Sequence, residues 1–407
     1  MEKRTLPERP GWRDEAEKLG FSFADMGGEP YWDETSAYRF TLRQVEEDIE
    51  APATELHAMC REAVDRATRD EAWLARLDIP RAHWDLVAAS WARGEPELYG
   101  RMDLAYDGHG PAKLLEYNAD TPTSLYESAS FQWLWFEQQR AAGVLDADAD
   151  QFNSIHEAIV ARWTQICTDG EEVHFTADPD NPEDYATVET LAWAAREAGL
   201  GAHFTALSQI GLTEEGQFAD DQSRVIGTLF KLYPWEDMLR DDFAAHLQSS
   251  GTRFIEPPWK AVLSNKGILP LLWQMFPGHP NLLPAFFLAD VQEAMAGGSP
   301  APDLAPAFEA ARDTLAQGHV LKPIFSREGA GVVIREAGRE VARTGDDSYS
   351  HHPMIVQGLA RLPDFGGFRP VLGAWIVGES CCGLGLREDR SPITHNLSRF
   401  KPHFIEG

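Results

Sequence analysis

Two short stretches carry polar side chains at a spacing that suits a divalent cation. Arg101 and Asp103 lie two residues apart in YGRMDLAYDG, and Glu116 and Asn118 lie two apart in LLEYNAD. Side chains two apart on a β-strand share a face, so pairing of the two strands in a suitable register would bring all four together. Two carboxylates and an amide oxygen can bind Mg²⁺, and an adjacent arginine would offset negative charge. The alternative is a solvent-facing polar strand with an ordinary salt bridge.

Lysine is scarce in this chain, and one of its eight lysines adjoins a glycine-rich loop. Lys322 ends an apolar strand, and Arg327, Gly329 and Gly331 follow it before the next apolar run. A lysine beside a flexible glycine hairpin can hold phosphates while the loop covers the site. The GxxxxGK[ST] phosphate-binding motif does not occur in the sequence. A surface hairpin with a chance lysine is the alternative.

Three further positions could complete a site. Lys266 precedes an apolar run and could reach into a cleft, with Lys260 as the competing candidate, although either could equally extend along a packed face. Gln357 ends an apolar strand before a glycine, where it could bind the edge of an adenine. Arg387 precedes two acidic residues, so it is either a catalytic cation or one half of a local salt bridge.

The elements that must position these side chains follow from the pattern of apolar and turn residues. Helical spacing covers residues 44–95, with Pro52 as an interruption. Alternating segments at 98–106 and 112–118 predict an antiparallel hairpin. A β-α-β pattern follows, with Asn181 capping its helix and with parallel strands. Residues 296–306 resemble a linker, and strands with tight glycine turns complete the chain.

Composition excludes several classes of protein. The 407 residues include 36 basic and 65 acidic side chains, for a net charge of −29, and 43% of them are hydrophobic. Such a chain is globular, and it lacks the basic face that binding to nucleic acid or to an anionic membrane requires. The acidic surface suits a cationic substrate such as a polyamine, or it serves only to keep the protein soluble.

Location and covalent framework follow from two further features of the sequence. The four cysteines form no pattern of a disulfide framework or a zinc site. With no apolar signal segment and no apolar run of membrane-spanning length, we expect a cytoplasmic protein without a membrane partner. The sequence indicates no oligomeric state.

Together these strings resemble a known family. YGRMDLAYDG, LLEYNADTPTSLYE, WKAVLSNKGILPLLW, VLKPIFSREGAG and GLREDRSPIT are similar to the synthetase domain of the glutathionylspermidine synthetase family, which are carbon–nitrogen ligases of the ATP-grasp class. The resemblance runs from about residue 10 to the C-terminus. It implies a single α/β unit over residues 1–407, with mixed sheets, flanking helices and a glycine-rich lid hairpin. The approximate lobes are an N-terminal lobe with the hairpin (1–150), a substrate lobe (151–300) and a nucleotide-binding lobe with the lid (301–407).

The resemblance also assigns roles to single residues, with ATP and Mg²⁺ as cofactors. It implies metal ligation by Asp103, Glu116 and Asn118, and nucleotide binding by Lys266, Lys322 and Gln357. It implies that Arg101 contacts the phosphates or the activated carboxylate and that Arg387 stabilises the transition state. Substrate contacts are implied for Arg327, Thr121, Thr123, Glu183 and Asp184.

The expected reaction is ATP-dependent formation of an amide through an acyl phosphate. The acid would be peptide-like, of the glutathione type, and the amine a polyamine. Two departures from the family affect the choice of substrates: no N-terminal amidase domain is expected in 407 residues, and threonines stand where bifunctional relatives have serines. The alternative function is a nucleotide- or polyamine-binding protein of the same fold that has lost turnover.

Overall fold

The computed structural model describes residues 1–346 and 348–407 as a mixed α/β structure with several sheets. In chain order the strands of this part are β1 (Glu2–Thr5), β2 (Asp25–Met26), β3 (Glu29–Pro30), β4 (Ser36–Phe40), β5 (Tyr99–Ala105), β6 (Lys113–Asn118), β7 (Glu172–Thr176), β8 (Gly201–Phe204), β9 (Gly211–Leu212), β10 (Phe218–Ala219), β11 (Thr228–Lys231), β12 (Arg253–Ile255), β13 (Ala285–Phe287), β14 (Gly318–Pro323), β15 (Val333–Glu336), β16 (Arg339–Arg343), β17 (Met354–Gly358), β18 (Arg369–Val377), β19 (Ser380–Asp389), β20 (Arg399–Lys401) and β21 (His403–Ile405).

The α-helices surround these strands. They are α1 (Trp12–Lys18), α2 (Leu42–Val45), α3 (Ala51–Thr68), α4 (Glu71–Arg76), α5 (Trp84–Ala92), α6 (Gln132–Ala141), α7 (Ile155–Ile166), α8 (Pro182–Glu197), α9 (Trp235–Met238), α10 (Lys260–Leu263), α11 (Ile268–Met275), α12 (Leu288–Met295) and α13 (Ala305–Gln317). No helix among the described residues is long and apolar enough to cross a membrane. The four cysteines are buried and carry free thiols.

The predicted interruption at Pro52 is wrong. A π-helical turn at Glu46–Glu50 joins α2 directly to α3, and Pro52 lies in the first turn of α3. The N–H of Ala51 donates to the carbonyl of Glu46, five residues back. The missing N–H of the proline therefore falls where the hydrogen-bond ladder changes its spacing, and the helix continues past it.

The predicted hairpin forms one edge of a five-stranded antiparallel sheet ordered β20-β19-β18-β5-β6. Arg101 pairs opposite Asn118, and Asp103 pairs opposite Glu116. Directly opposed residues of an antiparallel pair share a face, so the prediction that all four side chains lie on one face is confirmed. A bulge follows Asp103 in the register, a feature that re-aims side chains at the edges of sheets.

A second antiparallel sheet, ordered β13-β17-β14-β15-β16, carries the other lysine region. Val320 lies opposite Gln357, and Lys322 lies two residues further along β14. Lys322 and Gln357 therefore share a face of this sheet.

The third main sheet is parallel, in the order β12-β11-β7-β8, as the β-α-β pattern predicts. The side chain of Asn181 accepts hydrogen bonds from the backbone N–H groups of Glu183 (3.1 Å) and Asp184 (3.3 Å), and Pro182 occupies the first turn of α8. This cap holds both acidic side chains at the carboxyl edge of the sheet, where parallel α/β structures bind ligands.

Buried apolar clusters join these layers. The largest includes residues of α3, both strands of the hairpin, α11 and β17. A second lies between the parallel sheet and α7 and α8, and a third lies under the N-terminal segment around Trp32 and Trp135. The hairpin is thus held on a packed base, which a site built on its outer face needs. The three approximate lobes stay a prediction.

Candidate active site

Two adjoining cavities contain the thirteen side chains to which the resemblance assigns a role. The lysine cavity is lined by Lys266, Lys322 and Gln357 together with Asp103 and Glu116. The arginine cavity shares Asp103, Glu116 and Lys266 with it. The arginine cavity is also lined by Arg101, Asn118, Thr121, Thr123, Glu183, Asp184, Arg327 and Arg387. The roles of these residues stay predictions, but the fold brings all thirteen together.

The hairpin supplies the wall between the two cavities. The amide nitrogen of Asn118 lies 3.2 Å from Asp103 Oδ2 and 3.3 Å from Glu116 Oε1. Arg101 Nε donates to Asp103 Oδ1 at 2.7 Å, and Arg101 Nη1 donates to the carbonyl of Thr123 at 2.7 Å. The side chains of Arg101 and Asp103 are only 11% and 17% exposed. The alternative interpretation was a solvent-facing polar strand with an ordinary salt bridge. The salt bridge between Arg101 and Asp103 is present, but the strand does not face open solvent, because this face lines a cavity.

The side chains of the hairpin suit Mg²⁺, which takes some of its ligands from water and phosphate, better than they suit a metal whose ligands all come from the protein. Among the described residues, no group of three or more His, Cys, Asp and Glu side chains could hold a metal ion. The hairpin offers two carboxylates, each within hydrogen-bonding distance of the Asn118 amide. Mg²⁺ accepts such a small set because water and phosphate oxygens complete its coordination.

Two lysines face this carboxylate wall. Lys266 Nζ lies 3.1 Å from Glu116 Oε2 and donates to the carbonyl of Ser326 at 2.7 Å. Burial disfavours the charged form of Glu116, but Lys266 and Lys322 outweigh it and lower the pKa of Glu116 to about 2. Burial lowers the pKa of Lys322 to about 8, although Glu116 opposes that shift. This pairing leaves ammonium groups beside a carboxylate at the junction of the cavities.

Lys260, the competing candidate, lies outside both cavities. Its Nζ is 2.9 Å from Glu97 Oε2 and 3.0 Å from Glu256 Oε2, and the side chain is fully buried. It also donates to the carbonyls of Tyr99 and Ala119, both at 2.9 Å. Lys260 therefore holds the base of the hairpin in place, and its candidacy for the cleft is wrong. Lys266 reaches the cleft because it lies in the turn between α10 and α11.

Gln357 links the second sheet to the hairpin. Its Oε1 accepts a hydrogen bond from Lys322 Nζ at 2.9 Å, and its Nε2 donates to the carbonyl of Leu114 at 3.1 Å. Lys322 Nζ also donates to the carbonyl of Leu115 at 3.1 Å. The amide of Gln357 thus positions Lys322, while its contact with an adenine stays a prediction.

Arg387 is free of the salt bridge that the sequence left open. Its Nη2 donates to the backbone carbonyls of residues 395 and 396, at 2.6 and 3.2 Å. Glu388 instead binds Lys3 on the opposite face of β19, and Asp389 accepts from a serine of the following loop. The Nε of Arg387 is buried without a hydrogen-bond partner. Among the described residues no carboxylate pairs with this guanidinium, which faces the arginine cavity.

Carboxylates also line the arginine cavity. Glu183 and Asp184 lie there with Glu236 and Glu328, and Arg327 Nη2 donates to Glu236 Oε1 at 3.2 Å. Burial and the neighbouring charge of Glu183 raise the pKa of Asp184 to about 6, although Arg327 opposes the shift. Sequence reasoning missed Glu236. Its position just after the end of β11, at the carboxyl edge of a parallel sheet, was the available signal.

The loop between β14 and β15 lines part of both cavities. A Cβ on Gly329 would lie 2.7 Å from both the side chain of Ile393 and the carbonyl of Thr394, and its φ of +72° favours glycine. Glycine thus allows the loop to pack closely against residues 393–394. Opening of this loop as a lid stays a prediction.

Comparisons with known proteins agree with this architecture. The model of the glutathionylspermidine synthase preATP-grasp family matches residues 3–406. A candidate acid–amine ligase of Haemophilus influenzae is 37% identical over 98% of this chain and 98% of its own length. The bifunctional glutathionylspermidine synthetase/amidase of Escherichia coli is 26% identical over 97% of this chain, which spans only 63% of that protein.

One solved structure shows a similar fold over the whole chain. It is a glutathione synthetase-like effector of Globodera pallida without ligand, with a TM-score of 0.53 and 12% identity, covering 99% of this chain and 100% of that one. At that identity it supports the fold alone. From the family match and the 37% relative, the chain belongs to the glutathionylspermidine synthase family and is an ATP-dependent carbon–nitrogen ligase.

Proposed function

We propose that this ligase joins a peptide-type carboxylate to a polyamine-type amine through an acyl phosphate. The observation that carries the proposal is that side chains of both charges line the arginine cavity. Arg101, Arg327 and Arg387 lie there together with Glu183 and Asp184. Arginines suit carboxylate and phosphoryl oxygens, and carboxylates suit an alkylammonium group. The two substrates would therefore meet in this cavity.

The adjoining lysine cavity suits the nucleotide. Lys266 and Lys322 would contact the phosphates, and Asp103, Glu116 and Asn118 would hold Mg²⁺. Bound Mg²⁺ supplies positive charge to the phosphate oxygens. Because Asp103, Glu116 and Lys266 line both cavities, the phosphate end of the nucleotide would lie next to the acid.

An acyl phosphate is needed because a free carboxylate is a poor electrophile. In the first step a carboxylate oxygen forms a bond to the terminal phosphorus of ATP, and ADP leaves. In the second step the amine nitrogen attacks the acyl carbon, and phosphate leaves as the amide forms. Arg387 would bind the transferring phosphoryl group as negative charge develops on it, since its Nε is unpartnered and no carboxylate of the described residues forms a salt bridge with its guanidinium.

The proposal is tested with ATP, Mg²⁺, a panel of γ-glutamyl peptides that includes glutathione, and a panel of polyamines that includes spermidine. The expected result is ADP release that requires both acid and amine, with a product whose mass is their sum less one water. Hydroxylamine in place of the polyamine should trap the acyl phosphate as a hydroxamate. The Asp103→Asn variant, which should lack a Mg²⁺ ligand, is the control for ADP release that does not come from this site. Nucleotide binding without ADP release or hydroxamate for any acid would favour the inactive binding protein.

A further inference from the structure

A chain of buried hydrogen bonds leads away from the arginine cavity. Glu183, in the cavity wall, has its Oε1 3.4 Å from Ser124 Oγ. Ser124 Oγ lies 3.2 Å from the hydroxyl of Tyr31, and that hydroxyl donates to Glu127 Oε1 at 2.6 Å. Glu127 is 1% exposed, and Ser124 is 1% exposed. The chain thus joins a carboxylate at the proposed amine site to a second carboxylate in the interior.

We propose that Glu127 is the proton acceptor for the amine substrate, reached from Glu183 through Ser124 and Tyr31. This inference rests on the proposed function, because it needs an amine that reacts beside Glu183. Ser124 and Glu127 lie in the string LLEYNADTPTSLYE, but neither they nor Tyr31 received a role from the sequence analysis. Glu127 acts through Glu183, so it holds the proton without contacting the substrate.

The chemical need comes from the state of the amine. An alkylammonium group resembles lysine, whose pKa is about 10.4, so at neutral pH it carries a proton and has no lone pair for attack. One proton must leave the nitrogen before the bond to the acyl carbon forms. The second N–H proton leaves afterwards with the phosphate that the reaction releases. The relay therefore has to accept one proton in each turnover.

The hydrogen-bond chain can carry that proton without a net change in its middle members. The proton passes from the ammonium to Glu183, from Glu183 to Ser124 Oγ, from Ser124 to the Tyr31 hydroxyl and from Tyr31 to Glu127. Either Ser124 or Tyr31 can be the donor in the bond between them. Each hydroxyl therefore gains one proton and loses one, and Glu183 returns to a carboxylate. Reversal through the same atoms after product release resets Glu127.

The surroundings of Glu127 suit a group that takes up a proton near neutral pH. Burial, followed by the charge of Glu183, raises the pKa of Glu127 to about 7, and Tyr31 and Arg387 oppose the shift. Charged groups that face Glu183 from other elements include Arg101, on β5, and Glu328, in the loop after β14. An ordinary glutamate would be a far weaker base for this purpose.

The backbone at the centre of the relay is also unusual. Ser124 has a φ of +65°, in the left-handed region that residues with a side chain seldom adopt. Ser124 also lines a narrow cavity beside Arg101 and Arg387. The strained turn places its hydroxyl between Glu183 and Tyr31, where the relay requires it.

Kinetic tests use Glu127→Gln, Tyr31→Phe and the double variant, with the acid for which the wild type forms a hydroxamate. Glutamine can still accept from Tyr31 but cannot store the proton. We expect hydroxamate formation within about twofold of wild type, because hydroxylamine is an uncharged nucleophile at neutral pH. Ligation of the polyamine should fall at least about tenfold in both single variants, with no further loss in the double variant. The deficit should shrink as pH rises toward the pKa of the amine.

Tyr38→Phe is the matched control. Tyr38 is also buried and donates to a buried glutamate, Glu388, at 2.6 Å, but neither lines the two cavities. It should leave both reactions unchanged. Equal losses with hydroxylamine and with the polyamine in Glu127→Gln would overturn the relay in favour of a structural role, and so would unchanged ligation of the polyamine.

A second measurement needs no substrate. Infrared difference spectra of wild type minus Glu127→Gln, from about pH 5 to 9, should show a protonated carboxyl band that disappears around neutral pH. A Glu127 that stays ionised over this whole range would overturn the proposal. If no acid in the panel gives a hydroxamate, the proposed function fails, and the infrared titration alone still decides whether Glu127 can hold the proton.

Discussion

The structure assigns different roles to Lys260 and Lys266, which the sequence could not tell apart. The variants Lys260→Met and Lys266→Met form a matched pair that tests this assignment. Removal of Lys260 leaves Glu97 and Glu256 buried without their shared cation. Breaking a buried ion pair costs about 3–5 kcal/mol. Glu97 keeps Arg61 at 2.6 Å, and Glu256 can take up a proton, since burial already raises its pKa to about 7. We therefore expect a loss near the lower limit, about 3 kcal/mol.

That loss converts to a melting temperature. Unfolding entropy is about 2.1 cal/mol/K per residue, so 407 residues give about 0.85 kcal/mol/K and a decrease of about 4 °C. The pair of Lys266 (9% exposed) with Glu116 (26% exposed) is only partly buried, and Glu116 keeps Lys322 as a neighbouring cation, so the loss of Lys266 should cost at most about 1.5 kcal/mol and about 2 °C. Its proposed contact with a phosphate would be a hydrogen bond from a charged donor, worth about 1.5–3 kcal/mol. Lys266→Met should therefore lower kcat/KM roughly ten- to hundredfold.

Scanning calorimetry and an ADP-release assay, both applied to both variants, check the pair. Lys260→Met should melt early and, well below its melting temperature, turn over normally. Lys266→Met should melt nearly as the wild type does and turn over poorly. The assignment is refuted if Lys266→Met turns over like the wild type, or if Lys260→Met melts at the wild-type temperature.

Four further outcomes are expected. Asp103→Asn should abolish Mg²⁺-dependent ATP turnover with a melting temperature within about 2 °C of wild type; retained turnover at saturating Mg²⁺ would exclude it as a ligand. Arg387→Ala should lower kcat about a hundredfold, roughly 3 kcal/mol, with the Kd for ATP nearly unchanged in calorimetry; normal turnover would contradict a transition-state contact. The loop at residues 327–331 should be cut by protease faster without an ATP analogue than with it, and equal cleavage would argue against a lid. Burial and the charge of Glu183 raise the pKa of Glu127 to about 7. The folded chain therefore keeps a proton on Glu127 that the unfolded chain loses at lower pH. The free energy of unfolding should fall as pH rises from the usual carboxyl range through about 7. Glu127→Gln should flatten that fall, on the order of 3 kcal/mol, in melting curves recorded across pH, and an unchanged slope would refute the assignment.

Local patterns in the sequence were sufficient for most of the elements around the site. Alternation over 98–106 and 112–118 predicted β5 and β6 closely, and the Asn181 cap predicted the start of α8. Both succeed because strand faces and helix caps depend on residues only a few positions apart. The predicted interruption at Pro52 was wrong because it also rested on local sequence alone. The spacing of apolar residues does not reveal the π turn through which the helix continues past the proline.

The sequence by itself determined which residue types the site would contain, and how those within one strand or one helix turn would be oriented. Only the tertiary structure decided which of them meet. It placed Lys266 beside Glu116 and Lys260 inside the base of the hairpin, although the two lysines are only six residues apart. It also joined Glu183 to Glu127 through Tyr31, a residue almost a hundred positions earlier in the chain. The physical reason is that contacts between distant segments depend on how whole sheets and helices pack, and no local spacing encodes that packing.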